Sequence, residues 1–443
     1  LSKSKVDKQQ PTAADVNAAL SKLSGTSEEQ QTDEAGWKGI ESDRDPKNHD
    51  AVAKTLLNVA RYLEEAPPLK DGAIALNELT DEMEFSRDVD FGEGQQKFSK
   101  GQKIKENEIL QLRIVLNKFV KEDFGTGMMY DAVRTIGFHN RYNPIKQYLE
   151  SLRWDNTPRI DQWLQKYMGA NDNVYTRAVG SKFLIQAVAR GLEPGCPSDW
   201  MLVLEGKQEV GKNAAMLALC PVPEWTVTIQ TTDIDKDMTV SLEGRWLAEF
   251  AEMLTVTKAE TNALKAFITQ RVDTYRKSHR RDHVDHKRSA VLWGGTNQRE
   301  NYLPDETGNR RFNPVGVVGF IDVDGELKLD RDGIARDRDQ LWAEALVRHQ
   351  GGESHLLTGA AKVIAVREQD ARTVTDAWEE LVVEFVAKAG GFTTVSAILK
   401  TAVGLVDKEI GRREEIRVTK ILTKLGWTPT RTNTQRRWLK PGK

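Results

Sequence analysis

Apolar positions change their rhythm along this chain, and the changes divide it into four stretches. Residues 1–48 are rich in Ser, Lys, Gln, Thr and Asp and keep no apolar period beyond a short patch over 16–23. Such a composition buries too little surface to fold and predicts a disordered arm or linker. Residues 49–170 carry helical spacings, first Val52, Leu56, Leu57, Ala60 and Leu63, then Ile109, Leu112, Ile114, Val115, Phe119 and Val120. They predict a mostly helical N-terminal domain. A short helix is expected to open at Asn143-Pro144 and another beyond Pro158, each with proline near its first turn.

From 171 to 372 the period alternates. A helix over 174–191 leads to the apolar run Trp200-Met201-Leu202-Val203-Leu204, and strand candidates follow at 225–230, 245–250 and 289–294. Helical spacing returns over 258–269 and 339–346, so this stretch predicts an α/β layered domain. Residues 373–443 give two helices around Gly390-Gly391, a third ending at Gly426, and a closing Arg436-Arg437-Trp438-Leu439 strand. A winged-helix arrangement is the expectation there.

Composition narrows the class. With 443 residues, 39% hydrophobic and 29% charged, the chain is long enough for two or three cored domains. No apolar run approaches the ~18 residues that span a bilayer, and the opening Leu1-Ser2-Lys3-Ser4-Lys5 lacks the apolar core of a signal peptide. A cytoplasmic protein with no membrane partner is expected. Leu1 in place of Met is read as a processed or truncated start. The two cysteines, Cys196 and Cys220, are too few for a disulfide framework and read as reduced thiols. The net charge of -2 hides an asymmetry: from Lys400 onward there are twelve Lys or Arg against four Asp or Glu. That basic end points to nucleic acid, the bland alternative being a solvated face.

The strongest chemical signal is Gly206-Lys207-Gln208-Glu209-Val210-Gly211-Lys212-Asn213, which follows the apolar run and precedes the helix formers Ala214 to Leu219. A strand, a glycine-framed loop and a helix in this order aim backbone N–H groups at an anion. Gly206, Gln208, Gly211 and Lys212 would hold the phosphates of ATP, Lys212 reaching the β- and γ-phosphates. Asn213 stands where a hydroxyl usually ligates Mg²⁺, and its carbonyl is a weaker ligand. The structural alternative is a glycine turn before an ordinary core helix.

Such a loop also needs carboxylates at the end of a neighbouring strand. Glu249 and Glu252, in Trp246-Leu247-Ala248-Glu249-Phe250-Ala251-Glu252, supply them. Spacing leaves open which is metal ligand and which is base, and Glu249 with Asn213 forms the expected Mg²⁺ pair. Asn297, at the end of Leu292-Trp293-Gly294-Gly295-Thr296, is placed to position a lytic water or the γ-phosphate. Arg310 and Arg311 follow a Gly-Asn turn and can act as fingers across a subunit boundary.

These residues carry a resemblance. The run from Asn143 to Phe312 resembles the virulence-associated protein E family of phage and mobile-island proteins, whose core is similar to superfamily 3 helicases of the AAA+ class. The matching segments are Trp154-Asp155 with Pro158-Arg159, Tyr175 to Gly180, Trp246 to Glu252, Gly295-Thr296-Asn297, Thr307 to Phe312, and Asp337 to Ala345. The resemblance implies an AAA+ P-loop ATPase core, an α/β fold, in a ring-forming motor for element replication, often fused to or paired with a primase. Glu209, in place of a usual Gly, and Asn213 depart from the pattern and put the catalytic rate in question. The N-terminal helical domain would be a collar or a primase dock.

The resemblance also implies a hairpin before the strand of Asn297, entering a central pore. Lys277, His279, Arg280 and Arg281 would then meet the phosphates of single-stranded or forked DNA, with Arg436 and Arg437 adding contacts from the basic end. Arg276 and Arg281 could instead serve the nucleotide. Zinc at His279, His283 and His286 is disfavoured by the absence of cysteine and by the alternating charges around them. The leading expectation is therefore an ATP-dependent helicase ring, a hexamer, with Glu249, Glu252 and Asn297 acting in cis and an arginine in trans. A nucleotide-gated initiator or loader with slow hydrolysis is the alternative, and interference with competing phage a third.

Overall fold

Sequence periodicity anticipates the central sheet better than the region before it. A computed structural model of the chain describes residues 37, 40–229, 236–251, 258–275, 284–303, 309–374, 376–431 and 436–441. The N-terminal unit combines its helices with three short hairpins that the helical spacing does not reveal. It opens with a hairpin of β1 (Arg44–Asp45) and β2 (Asn48–Val52), followed by α1 (Leu56–Glu65). Two more hairpins follow, β3 (Ile74–Asn77) with β4 (Glu82–Phe85) and β5 (Val89–Asp90) with β6 (Lys97–Phe98), before α2 (Glu106–Val120) and α3 (Thr126–His139).

The expected pattern from Val52 to Leu63 is corrected accordingly. Val52 lies in β2, and Leu56 and Leu57 face solvent. Thr55 caps α1 by accepting from the Asn58 N–H, and the buried face is Asn58, Val59, Tyr62 and Leu63. Strands of two to five residues are too short to show a period of two. The arm also ends earlier than 48, because Trp37 and Ile40 are buried in this unit's core and Trp37 stacks on Phe119 at 4.6 Å. The rest of the predicted arm, residues 1–36, lies outside the described residues.

Three helices then lead to the sheet: α4 (Pro144–Ser151), α5 (Trp163–Met168) and α6 (Val174–Leu192). Ile145, Leu149, Trp163 and Tyr167 share one buried cluster with Leu202 and Leu204, so the boundary drawn at 170 falls inside a continuous core. The elements that follow are β7 (Met201–Glu205), α7 (Lys212–Ala218), β8 (Thr226–Ile229), α8 (Lys236–Ser241), β9 (Leu247–Phe250) and α9 (Lys258–Thr269). Next come the β10 (Val272–Tyr275) and β11 (Val284–Lys287) hairpin, β12 (Val291–Thr296) and β13 (Phe312–Gly316). A small hairpin of β14 (Phe320–Ile321) and β15 (Leu327–Lys328) precedes α10 (Arg331–Gln350) and α11 (Gly359–Ala371).

Five of these strands form one parallel sheet in the order β13-β7-β12-β9-β8. Central β7 is buried on both faces, as its unbroken apolar run requires. Leu202 and Leu204 pack under α6 and α10, while Met201 and Val203 meet the face covered by Leu264, Phe267 and Ile268 of α9. Pro314 conceals β13 from the sequence: a residue without an N–H is tolerated only where the sheet ends, and β13 is an edge strand.

The C-terminal unit runs α12 (Glu379–Ala387), β16 (Phe392–Thr393), α13 (Val395–Thr401), α14 (Arg412–Lys424), β17 (Thr428–Arg431) and β18 (Arg436–Leu439). Its antiparallel sheet has the order β16-β18-β17 around a core of Val382, Ile398, Leu399, Val418, Leu422 and Trp438. Two strands join the one expected, and Pro429 again lies on an edge strand, β17.

Candidate active site

Because the five strands are parallel, their carboxyl ends converge on one edge of the sheet, where open α/β folds bind ligands. The glycine-framed loop leaves that edge from Glu205. Gly206 passes so close to Val317 that a Cβ would lie 2.8 Å from the Val317 carbonyl oxygen, which excludes any side chain. Glu209 and Gly211 both take left-handed backbone, with φ of 66° and 89°. Glycine is at home there and glutamate is strained. Among the described residues, the N–H groups of residues 207 to 211 donate to no group of the chain. Successive free N–H groups on alternating backbone hands form an anion-binding concavity. Buried Val210 fixes the loop, its carbonyl accepting from the Leu329 N–H at 2.9 Å.

Lys212 is brought to the same edge. Its Nζ donates to the carbonyls of Gly206 at 2.8 Å and Lys207 at 2.9 Å and to Asn297 Oδ1 at 3.0 Å. Burial lowers its pKa, and the charge of Glu249 opposes that shift. Glu249, near the end of β9, is buried and accepts from the Asn213 amide and from the Thr228 hydroxyl, the latter at 3.0 Å. Desolvation raises the Glu249 pKa against the hydrogen bonds and Lys212. Lys212, Asn213, Glu249 and Asn297 thus form one connected set. Gln208 is exposed on the loop.

Thr228 was missed from sequence because it reads only as part of the strand alternation Thr226-Val227-Thr228-Ile229. A second missed group lies directly beneath the loop. Buried Glu205 accepts from Tyr302 Oη at 2.6 Å and from two guanidinium nitrogens of Arg372, whose Nη1 also donates to Glu368 at 2.6 Å. The backbone carbonyl of Arg372 accepts from the Tyr302 and Leu303 N–H groups.

Arg310 and Arg311 do not join the set. They precede Phe312, which pairs with Met201 at the amino end of β7, and neither hydrogen-bonds to Lys212, Glu249 or Asn297 among the described residues. Arg310 is exposed. Glu252, Lys277, His279, Arg280 and Arg281 lie outside the described residues. The strands flanking that basic segment, β10 and β11, do pair as a hairpin. Its base is held by a buried ion pair of Arg288 and Asp273, and the Arg288 carbonyl accepts from buried Arg190 at 2.8 Å. In the C-terminal unit Arg436 is exposed, while Arg437 lies over the Phe392 ring at 4.6 Å. Among the described residues no helix is long and apolar enough to cross a membrane.

The five-stranded parallel sheet makes this a mixed α/β protein, and the sheet and its loop are compatible with a P-loop-like core. The profile of the virulence-associated protein E-like domain matches residues 149–374, just over half of the chain, and the chain belongs to that family. No curated protein matches it. Among solved structures, it is similar to the apo C-terminal region (305-718) of NrS-1 at 10% identity and a TM-score of 0.43, over 83% of this chain and 95% of that one. The A form of the same apo region gives 12% identity and a TM-score of 0.46, over 83% and 96%.

Proposed function

We propose that the protein is an ATP-dependent, ring-forming DNA helicase or translocase acting in replication of a phage or mobile element. The observation that carries the reading is the linked set of Lys212, Asn213, Glu249 and Asn297 beside a row of free N–H groups at the carboxyl edge of a parallel sheet. The donors fit the group: free N–H groups and a lysine suit phosphate, and carboxylate, amide and hydroxyl oxygens suit Mg²⁺. Bound Mg²⁺ would neutralise developing phosphate charge. Lys212 would exchange its carbonyl partners for phosphate oxygens, and Glu249, its pKa raised by burial, would orient water and take its proton. Asn297 would fix the third point of the geometry. Arg310 or Arg311 of a neighbouring copy would complete the site, the basic segment between β10 and β11 and the basic C-terminal end would hold DNA, and the C-terminal unit would act as a winged helix. Steady-state ATP hydrolysis with and without single-stranded DNA, beside Lys212→Ala, tests this; DNA stimulation lost in the variant is the expected result.

One observation favours the slower, nucleotide-gated initiator or loader. Asn213 presents its amide nitrogen to Glu249, so serving Mg²⁺ requires the amide to turn its oxygen toward the metal. Tight nucleotide binding with turnover that DNA does not raise selects this reading.

A further inference from the structure

The hairpin of β14 and β15 places apolar side chains in water directly beside the phosphate loop. Phe320, Ile321 and Leu327 are exposed, and Val323 at the tip is fully so. The hairpin is firmly built. Asp322 Oδ1 accepts from the N–H groups of Asp324 and Glu326, and Gly325 closes the turn with φ of 80°. Its base is pinned by Val317 N–H to the Glu205 carbonyl at 2.7 Å, Gly319 N–H to Met168 at 3.1 Å and Leu329 N–H to Val210 at 2.9 Å. Exposed apolar side chains on a firmly built ribbon suit an interaction site, and its tip adds the acidic Asp324 and Glu326, the latter paired with Lys328 at 2.6 Å.

A surface of complementary character exists elsewhere on the chain. Helix α11 packs its buried side on α6, β13 and the Asn309–Arg311 turn. Its other side exposes Val363 and Val366, flanked by exposed Lys362 and Arg367. With Asp370 one turn beyond Arg367, this face is apolar and net basic, and it complements the apolar, net acidic hairpin. It is also tied to the arginine turn, since Gln369 Nε2 donates to the Phe312 carbonyl at 2.9 Å and Asn309 Nδ2 to Thr373 Oγ1 at 3.0 Å.

We propose that the β14–β15 hairpin of one copy docks on the exposed face of α11 of the next, a head-to-tail contact that sets the helix on which the neighbour's Asn309–Arg311 turn is packed beside the phosphate loop. This deepens and rests on the shared-site reading above, because the polar set around Lys212 contains no arginine of its own among the described residues. A contact between unlike patches leaves one hairpin and one α11 face free at the ends of any open assembly, so it propagates and closes into a ring if the rotation per subunit permits.

The test measures assembly of the full chain by mass photometry and sedimentation with a non-hydrolysable ATP analogue. Ile321→Asp with Val323→Asp should raise the assembly Kd at least about 100-fold, the loss expected when two apolar side chains can no longer be buried. Val363→Asp with Val366→Asp should do the same. Asp324→Lys with Glu326→Lys should weaken assembly, and adding Lys362→Glu with Arg367→Glu should restore it, a rescue that misfolding cannot produce. Wild-type assembly that survives both apolar variants overturns this interface and leaves the shared site standing. A wild-type chain that stays monomeric with the analogue, and hydrolyses ATP fully without Arg310 and Arg311, overturns both.

Discussion

The two ends of the parallel sheet are built for different tasks. At the carboxyl end, polar side chains from four segments meet: Lys212 and Asn213 after β7, Thr228 on β8, Glu249 on β9 and Asn297 after β12. At the amino end of β13 an exposed arginine stands apart from that set. On the proposed reading these would be the two halves of a phosphoryl-transfer site, held at opposite ends of the strands, and a neighbouring copy would supply the half that each site lacks locally.

Removing the central cation should break the comparison most completely. Lys212→Ala takes the charge from the carboxyl end, and ATP turnover should fall to background with nucleotide affinity down by at least ~100-fold, read by a fluorescent nucleotide titration. The arginines should behave differently. Arg310→Ala with Arg311→Ala should lower turnover by about 10³-fold, in the range of an arginine finger, while nucleotide affinity stays within about threefold. Mixing that variant with Lys212→Ala should recover activity, because each supplies the half the other lacks. No recovery at any mixing ratio counts against a shared site.

The Glu205–Arg372 pair joins the two ends, since Arg372 grips the carboxylate under the loop while Asn309, one residue before the arginine pair, holds its neighbour Thr373. Arg372→Met strands a buried carboxylate and should cost about 3–5 kcal/mol in a urea-unfolding transition. Adding Glu205→Gln should return much of that loss, because the stranded charge is then gone.

The carboxyl end was legible in the sequence because its residues lie in local runs: a glycine-framed loop, and apolar strands ending in Glu249 and Asn297. Thr228 and the Glu205–Arg372–Tyr302 node were not, since their roles arise from partners up to 167 positions away. Strand β13 was hidden by Pro314, and the N-terminal hairpins by strands of two to five residues. Trp37 shows the converse error, one aromatic in a polar arm being enough to recruit its end into a core. Asn213 stands in the sequence where a hydroxyl would ligate Mg²⁺, but only the structure shows that its amide engages Glu249. Asn213→Ser should release that carboxylate and supply a hydroxyl ligand, raising turnover severalfold with little change in affinity; unchanged turnover would mean the amide is no brake.

The smallest effect concerns how the amino end is held. There, Trp200 precedes β7 and donates its indole N–H to the His355 carbonyl, next to an ion-pair network around Glu353. The Glu353 carboxylate accepts from Lys182 Nζ at 2.6 Å and from Arg348 Nε and Nη2 at 2.7 and 2.8 Å. The Arg348 contacts are the chief reason its pKa falls from 4.5 to about 2, with burial opposing. A carboxyl depressed in the folded state adds stability that is complete above its unfolded value and fades as pH falls through its folded value. The Tm gap between wild type and Glu353→Gln should thus stay constant from pH 7 to about 5 and close between about 4.5 and 2. The exposed Arg310 and the half-buried Arg311, neither of which joins that network among the described residues, should leave this profile unchanged when replaced, so a shifted acid limb in Arg310→Ala would show that the two features of the amino end are coupled after all.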